Sequence, residues 1–237
     1  MWPANRIGDV HEVESSEGHW VCKGIKAICQ LRRAAQLKLE VVSTSPRVFI
    51  IQKFLSDFEV NEIIALAKPK IADSTVGQQD GGGTRKSETR TSQNAWIPRS
   101  SSVITNTLFT RAEHLLNITK LDRSNSEDIQ VVHYDVGQKY DSHHDWGVSG
   151  YPESRFITLL LYLSDMSNED AGGETAFPKA ANGMGFKVHP GKGSAVLFYN
   201  LLEDGNGDDL ALHAALPVRQ GEKWLANFWV WDPTRKD

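Results

Sequence analysis

Residues Lys223–Trp231 read KWLANFWVW. An aromatic run that alternates with period two is a strand, and it sets Lys223, Leu225, Asn227 and Trp229 on one face. A lysine facing inward on such a strand is costly unless it meets an anion. Working back along the chain, strand-like runs cover 128–134, 138–145, 155–163, 185–189 and 194–199, with turn clusters between them. Further back, RVFIIQK at Arg47–Lys53 is another short strand. Ser56-Asp57-Phe58-Glu59 then fits a capping box opening a helix to about Ala67. Val103, Ile104, Leu108, Leu115 and Leu116 mark a second amphipathic helix over 103–116. Two helices ahead of a run of strands predict an α+β, mainly β fold, with the helices packed outside a sandwich or barrel.

The beginning of the chain reads differently. Residues 1–19 are polar and predict a loose tail. Residues 20–40 (WVCKGIKAICQLRRAAQLKLE) place Val21, Ile25, Ile28 and Leu31 at helical spacing and predict a basic amphipathic helix on the domain. On that helix Cys22 and Cys29 would lie about 10 Å apart along the axis, too far to bridge. No linker or repeat interrupts the rest, so the expected division is a tail and helix over 1–45 and one domain over 46–237. Residues 76–92 (VGQQDGGGTRKSETRTS) form the longest predicted loop, and Gly81-Gly82-Gly83 gives it the backbone freedom of a lid.

A chain of 237 residues, 40% hydrophobic and 24% charged, can bury a core without disulfide staples. Its net charge of −4 argues against a nucleic-acid partner. No apolar run is long enough for a transmembrane segment. The first residues lack the apolar stretch of a signal peptide, so the sequence alone predicts a cytoplasmic protein. Asn117-Ile118-Thr119 is a glycosylation sequon that matters only in a lumenal chain. Asp204-x-Asn206-x-Asp208 resembles a calcium loop but lacks the required Gly and Glu farther on.

The stretch richest in chemistry is Tyr140-Asp141-Ser142-His143-His144-Asp145-Trp146. In a strand, His143 and Asp145 point together and His144 points the other way. An imidazole beside a carboxylate can hold two positions on a metal, and His213, from a distant strand, is the best third ligand. Two His and one carboxylate make the facial triad of non-haem Fe(II) oxygenases, with three positions open. Lys223 stands ten residues beyond His213.

At these residues the sequence resembles the prolyl 4-hydroxylases among the Fe(II)/2-oxoglutarate dioxygenases. The resemblance runs from about Pro46 to Trp231. It is carried by Pro46-Arg47-Val48-Phe49, Arg90-Thr91-Ser92, Tyr134 with Gly137-Gln138-Lys139-Tyr140, His143-x-Asp145, Arg155, Gly172-Gly173-Glu174-Thr175-x-Phe177-Pro178, Pro190-x-Lys192-Gly193, His213 and Gly221-x-Lys223-Trp224. It implies a double-stranded β-helix, a jelly-roll barrel with supporting helices. It implies that His143, Asp145 and His213 bind Fe(II), and that Lys223 pairs with the distal carboxylate of 2-oxoglutarate with hydroxyls from Thr175 and Tyr140. Tyr134, Arg155, Trp229 and Arg90 would line the peptide side, with Tyr140, Arg155 and Trp229 taking part in catalysis. The implied reaction hydroxylates peptidyl proline at C4, releases succinate and CO2, and uses L-ascorbate. The family also suggests the lumen of the endoplasmic reticulum.

Departures are few: Asn227 and Phe228 stand where the family often has Thr and Lys, and His144 where an aromatic is usual. Two other readings fit the same residues. One is a 2-oxoglutarate oxygenase acting on another side chain or a small molecule. The other is a β-barrel binding module with an inactive metal site, against which stand all three ligands and Lys223. Nucleobase demethylation is disfavoured by the acidic balance and by Lys223, since the resemblance ties that activity to an Arg.

Overall fold

A computed structural model describes residues 1–23, 28–77, 84–85, 88–147, 155–166 and 168–231. Its larger sheet has nine strands, in the order Val10–Ser15, Ala35–Thr44, Arg47–Ile51, Ala195–Tyr199, Arg155–Tyr162, Lys223–Trp231, Ile129–Tyr134, Gln93–Ile97 and Ala72–Asp73. The smaller runs Tyr140–His143, His213–Ala215, Thr175–Phe177 and Phe186–Val188. All the pairings are antiparallel, and sequence-distant strands sit side by side, as in a jelly roll.

Period two explains where the cores lie. Along Arg155–Tyr162, Ile157, Leu159 and Leu161 join one hydrophobic cluster, while Leu160 and Tyr162 join another. Both faces of this strand are covered, which is why RFITLLLY reads as an almost unbroken apolar run. Lys223–Trp231 divides in the same way. Trp224, Ala226, Phe228 and Val230 meet the outer cluster, and Leu225 the inner one. The inner cluster lies between the sheets, where Phe177 and Val188 of the smaller meet Val132, Leu160 and Phe198 of the larger.

Two helices cover the outer face. Helix α1 (Asp57–Ala67) starts in the expected capping box: Ser56 Oγ accepts from the Glu59 amide and Glu59 Oε2 accepts from the Ser56 amide. Helix α2 (Val103–Leu116) packs Phe109 on Phe228, with ring centroids 4.6 Å apart. Truncating such a ring to alanine costs about 3–5 kcal/mol. The helices are locked by a fully buried Arg111–Glu59 ion pair at 2.7 Å. Arg111 also donates to the carbonyls of Phe54 and Gly18. Removing one member would strand a buried charge.

The first forty residues depart from the sequence expectation. Among the described residues no tail-and-helix unit precedes the sheet. Val10–Ser15 is an edge strand paired with Ala35–Thr44, which also pairs with Arg47–Ile51. AQLKLEV is buried and exposed in strict alternation, a period-two signal that outweighs the helical spacing read across 20–40. Trp20–Lys23 and Ile28–Leu31 form a hairpin with Cys22 opposite Cys29. Their Cα atoms are 4.0 Å apart and the cysteines are joined by a disulfide. The expectation that they cannot bridge fails because strand pairing, unlike a helix, brings them face to face. The central part of the expected lid, 78–83 with 86–87, lies outside the described residues.

Candidate active site

Strand Tyr140–His143 pairs with His213–Ala215 so that His143 stands opposite His213, with ring centroids 4.4 Å apart. Asp145 follows His143 by two residues and is buried. One donor atom from each of the three side chains falls within 4.8 Å of the others. His143 Nε2 is 3.7 Å from Asp145 Oδ1, and His213 Nε2 is 3.7 Å from Asp145 Oδ2. The opposite edge of each imidazole is anchored to the backbone carbonyl two residues earlier in the chain. Nδ1 of His143 meets the Asp141 carbonyl at 2.8 Å, and Nδ1 of His213 meets the Ala211 carbonyl at 3.0 Å. A carbonyl only accepts, so Nδ1 is the donor and Nε2 is the nitrogen left to face a metal.

Burial, reinforced by neighbouring His213, holds the His143 pKa well below that of a free imidazole. Burial alone would raise Asp145. The nearby His213, His143 and Arg155, with the Thr158 hydroxyl, outweigh it and keep the carboxyl below the usual range. Two imidazoles with their Nε2 atoms turned toward one ionised carboxylate are a donor set that fits Fe(II). His144 does not join them. It is only partly buried and its Nε2 faces the Asp209 carbonyl at 3.3 Å.

The triad lies in the wall of a cavity of about 360 Å³. Arg90, Trp96, Arg155 and Trp229 also line it, as do Tyr134, Tyr140 and buried Thr175. Tyr140 stacks on His143 with centroids 3.6 Å apart, and the Arg90 guanidinium lies 4.8 Å from the Tyr140 ring centroid. Trp229 is buried, and its indole N–H donates to Asp145 Oδ2 at 2.9 Å. Arg155 lies over the other side of this network. Its Nε and Nη2 donate to the two carboxylate oxygens of Glu127, at 2.7 and 2.9 Å.

Lys223 is fully buried, and its Nζ has no hydrogen-bond partner among the described residues. It sits 5.4 Å from the Tyr134 ring centroid and 5.9 Å from that of Tyr162. The Tyr162 hydroxyl donates to Thr175 Oγ1 at 2.7 Å. Burial pushes the ammonium down to about 7, against the pull of Glu174. An orphaned inward lysine beside two tyrosines and a threonine fits a carboxylate. Arg219, the other cation nearby, is mostly exposed and lies 3.9 Å from Glu174.

The sequence reading missed Thr158, Tyr162, Glu127 and Asn200. Thr158 and Tyr162 share the inward face of RFITLLLY with Leu160, so alternation within that run was the available signal. Nothing local marks Glu127 or Asn200, whose partners are remote in sequence.

The family model described as the 2OG-Fe(II) oxygenase superfamily matches residues 129–231. Prolyl 4-hydroxylase 2 of Arabidopsis thaliana is 36% identical over 214 residues, covering 81% of this chain and 70% of that protein. The chain belongs to the prolyl 4-hydroxylase family. The Gallus gallus prolyl 4-hydroxylase subunit alpha-1 is 37% identical over 193 residues, 78% of this chain and 36% of that subunit. Among solved structures, the viral collagen prolyl hydroxylase of Paramecium Bursaria Chlorella virus-1, in complex with 2OG, aligns with a TM-score of 0.59 and 29% identity. That alignment covers 77% of this chain and 94% of the viral one. As a member of this family, the protein is an Fe(II)- and 2-oxoglutarate-dependent dioxygenase with a jelly-roll fold.

Proposed function

We propose that the protein hydroxylates prolyl residues of a peptide or protein at C4, with Fe(II) held by His143, Asp145 and His213 and 2-oxoglutarate anchored by Lys223. The observation that carries this reading is the lone buried ammonium of Lys223 behind a cavity walled by a converging His-Asp-His set. Bound Fe(II), O2 and 2-oxoglutarate supply the oxidation, the cosubstrate leaving as succinate and CO2.

The chain's own residues do the rest. Thr175 and Tyr162 offer hydroxyls beside the Lys223 ammonium, and Tyr134 walls it from solvent. On this reading Tyr134 stands beside the anion that Lys223 binds, and Tyr140, stacked on His143, stands nearer the metal. The exposed ring of Trp96 and the buried, cavity-lining ring of Trp229, 6.0 Å apart, offer an apolar platform suited to a prolyl ring. Arg155 and Arg90 donate hydrogen bonds to the backbone carbonyls of an extended peptide. Buried walls keep water from the reacting carbon.

L-Ascorbate enters as the reductant that keeps the iron ferrous between turnovers. An oxidising compartment such as the lumen of the endoplasmic reticulum is supported by the Cys22–Cys29 bridge. The decisive experiment incubates a panel of Pro-rich peptides with the protein, Fe(II), 2-oxoglutarate and ascorbate. Mass spectrometry should find one added oxygen per modified proline, matched by succinate. Succinate formation that no prolyl peptide stimulates would instead favour another substrate.

A further inference from the structure

We infer that Thr158 and Asn200 form a positioning relay that commits Asp145 to bind the metal through Oδ1 alone. This rests on the metal centre proposed above and concerns how its carboxylate is oriented.

The direction of each hydrogen bond follows from what each group can do. Ionised Asp145 only accepts. The Thr158 hydroxyl, 2.6 Å from Asp145 Oδ2, therefore donates its single proton there. That leaves lone pairs on Thr158 Oγ1, and Asn200 Nδ2 lies 2.9 Å from this atom as a donor. Were the Asn200 amide turned with its oxygen toward Thr158, it would compete for the proton and release Asp145. Both residues are fully buried, so water does not substitute for either partner.

The placement follows from the sheet. Thr158 pairs with Phe198, and the Asn200 backbone N–H donates to the Phe156 carbonyl at 2.9 Å, so the two side chains meet diagonally on the inward face. Trp229 Nε1 donates to the same Oδ2 at 2.9 Å. Two donors thus occupy Oδ2. Oδ1 accepts no hydrogen bond among the described residues, its nearest cation being Arg155 Nη1 at 3.9 Å. It is the oxygen with a lone pair to give. A carboxylate gripping the metal with both oxygens would take a position that a three-ligand site keeps open for reactants.

The test uses Co(II) as a spectroscopic probe, titrated into the metal-free full chain, with affinity and visible absorption as readouts. Thr158→Val should weaken Co(II) binding ~10–100-fold, the usual cost of removing a group that orients a ligand, and should alter the absorption bands. Thr158→Ser, which keeps the hydroxyl, should restore both. Asn200→Leu should shift both in the same direction as Thr158→Val while leaving the Thr158 side chain intact, and it decides the matter if Thr158→Val fails to fold by circular dichroism. A folded Thr158→Val or Asn200→Leu protein with wild-type affinity and spectrum overturns the relay. Wild-type protein that binds no Co(II), or His213→Ala that binds it equally well, overturns the metal centre itself.

Discussion

Arg155 stacks on Trp229, its guanidinium carbon 3.5 Å from the ring centroid. One indole thus carries a cation on its face and donates its N–H to the carboxylate of the metal triad. Trp229 couples Arg155 to the metal triad. Glu127 holds Arg155 in that pose through paired hydrogen bonds and also accepts from the Trp231 indole at 3.1 Å.

Glu127→Gln tests this coupling. The amide offers one acceptor oxygen where the carboxylate offered two and a charge, so Arg155 loses its fork. A hydrogen bond to a charged group is worth about 1.5–3 kcal/mol. We expect kcat/KM for a Pro-rich peptide to fall by at least tenfold, with Fe(II) affinity and peptide-independent succinate formation unchanged. Arg155→Lys should be as impaired, because an ammonium neither forks onto a carboxylate nor stacks flat on an indole. Peptide kinetics unaltered in Glu127→Gln would show that Arg155 needs no such anchor.

His143→Ala, Asp145→Ala and His213→Ala should each abolish turnover and lower bound iron, measured by elemental analysis. His144→Ala should keep both near wild type, since its ring faces the Asp209 carbonyl. Loss of iron from His144→Ala would mean that the triad is wrongly assigned.

The inward face of Lys223–Trp231 was legible because period two acts within a single strand, whereas the strand carrying His143 ends at that residue and Asp145 lies just beyond it, so the pair was marked by its spacing rather than by strand geometry. The capping box at Ser56 was legible because both its partners lie within one turn. The N-terminal strands were misread because apolar residues over 20–40 satisfy helical and strand spacing at once, and the pairing that decides between them depends on Arg47–Ile51. Thr158 and Tyr162 were hidden in a run that looked wholly apolar. Glu127 and Asn200 gain their meaning only from partners on other strands, Arg155 in the one case and Thr158 in the other. Trp229 was marked by the family motif, but its hydrogen bond to Asp145 bridges 84 positions of sequence and no local pattern carries it.

Lys223→Met separates folding from cosubstrate binding. Without 2-oxoglutarate, Lys223 is a buried amine with no hydrogen-bond partner among the described residues, and a methionine of similar length spares the cost of desolvating a charge. The metal-loaded variant should therefore melt at or above the wild-type temperature while its affinity for 2-oxoglutarate falls by a hundredfold or more, as expected when one partner of a desolvated ion pair, worth roughly 3–5 kcal/mol, is removed. Calorimetry and thermal melts give the two readouts. Undiminished 2-oxoglutarate binding would move the anchor elsewhere.

The same lysine predicts how cosubstrate affinity depends on pH. Burial lowers the Lys223 pKa from 10.5 to about 7, and Glu174 only partly opposes this. Only the protonated form attracts a carboxylate. Below pH 7 the free enzyme already carries the charge and the KM for 2-oxoglutarate should be flat. Above pH 7 the neutral amine must first take up a proton, so KM should rise by about tenfold per pH unit until the pKa of the complex is reached. The protein without cosubstrate should behave in the opposite sense. Between pH 7 and 10.5 the unfolded chain binds the extra proton, so this residue's contribution to stability improves as pH rises through that window. Isothermal titration of 2-oxoglutarate at pH 8, in two buffers of different ionisation enthalpy, should register uptake of close to one proton, and at pH 6 close to none. A KM that stays level from pH 6 to 9, with no proton taken up, would mean that Lys223 is charged throughout and that burial does not govern its titration.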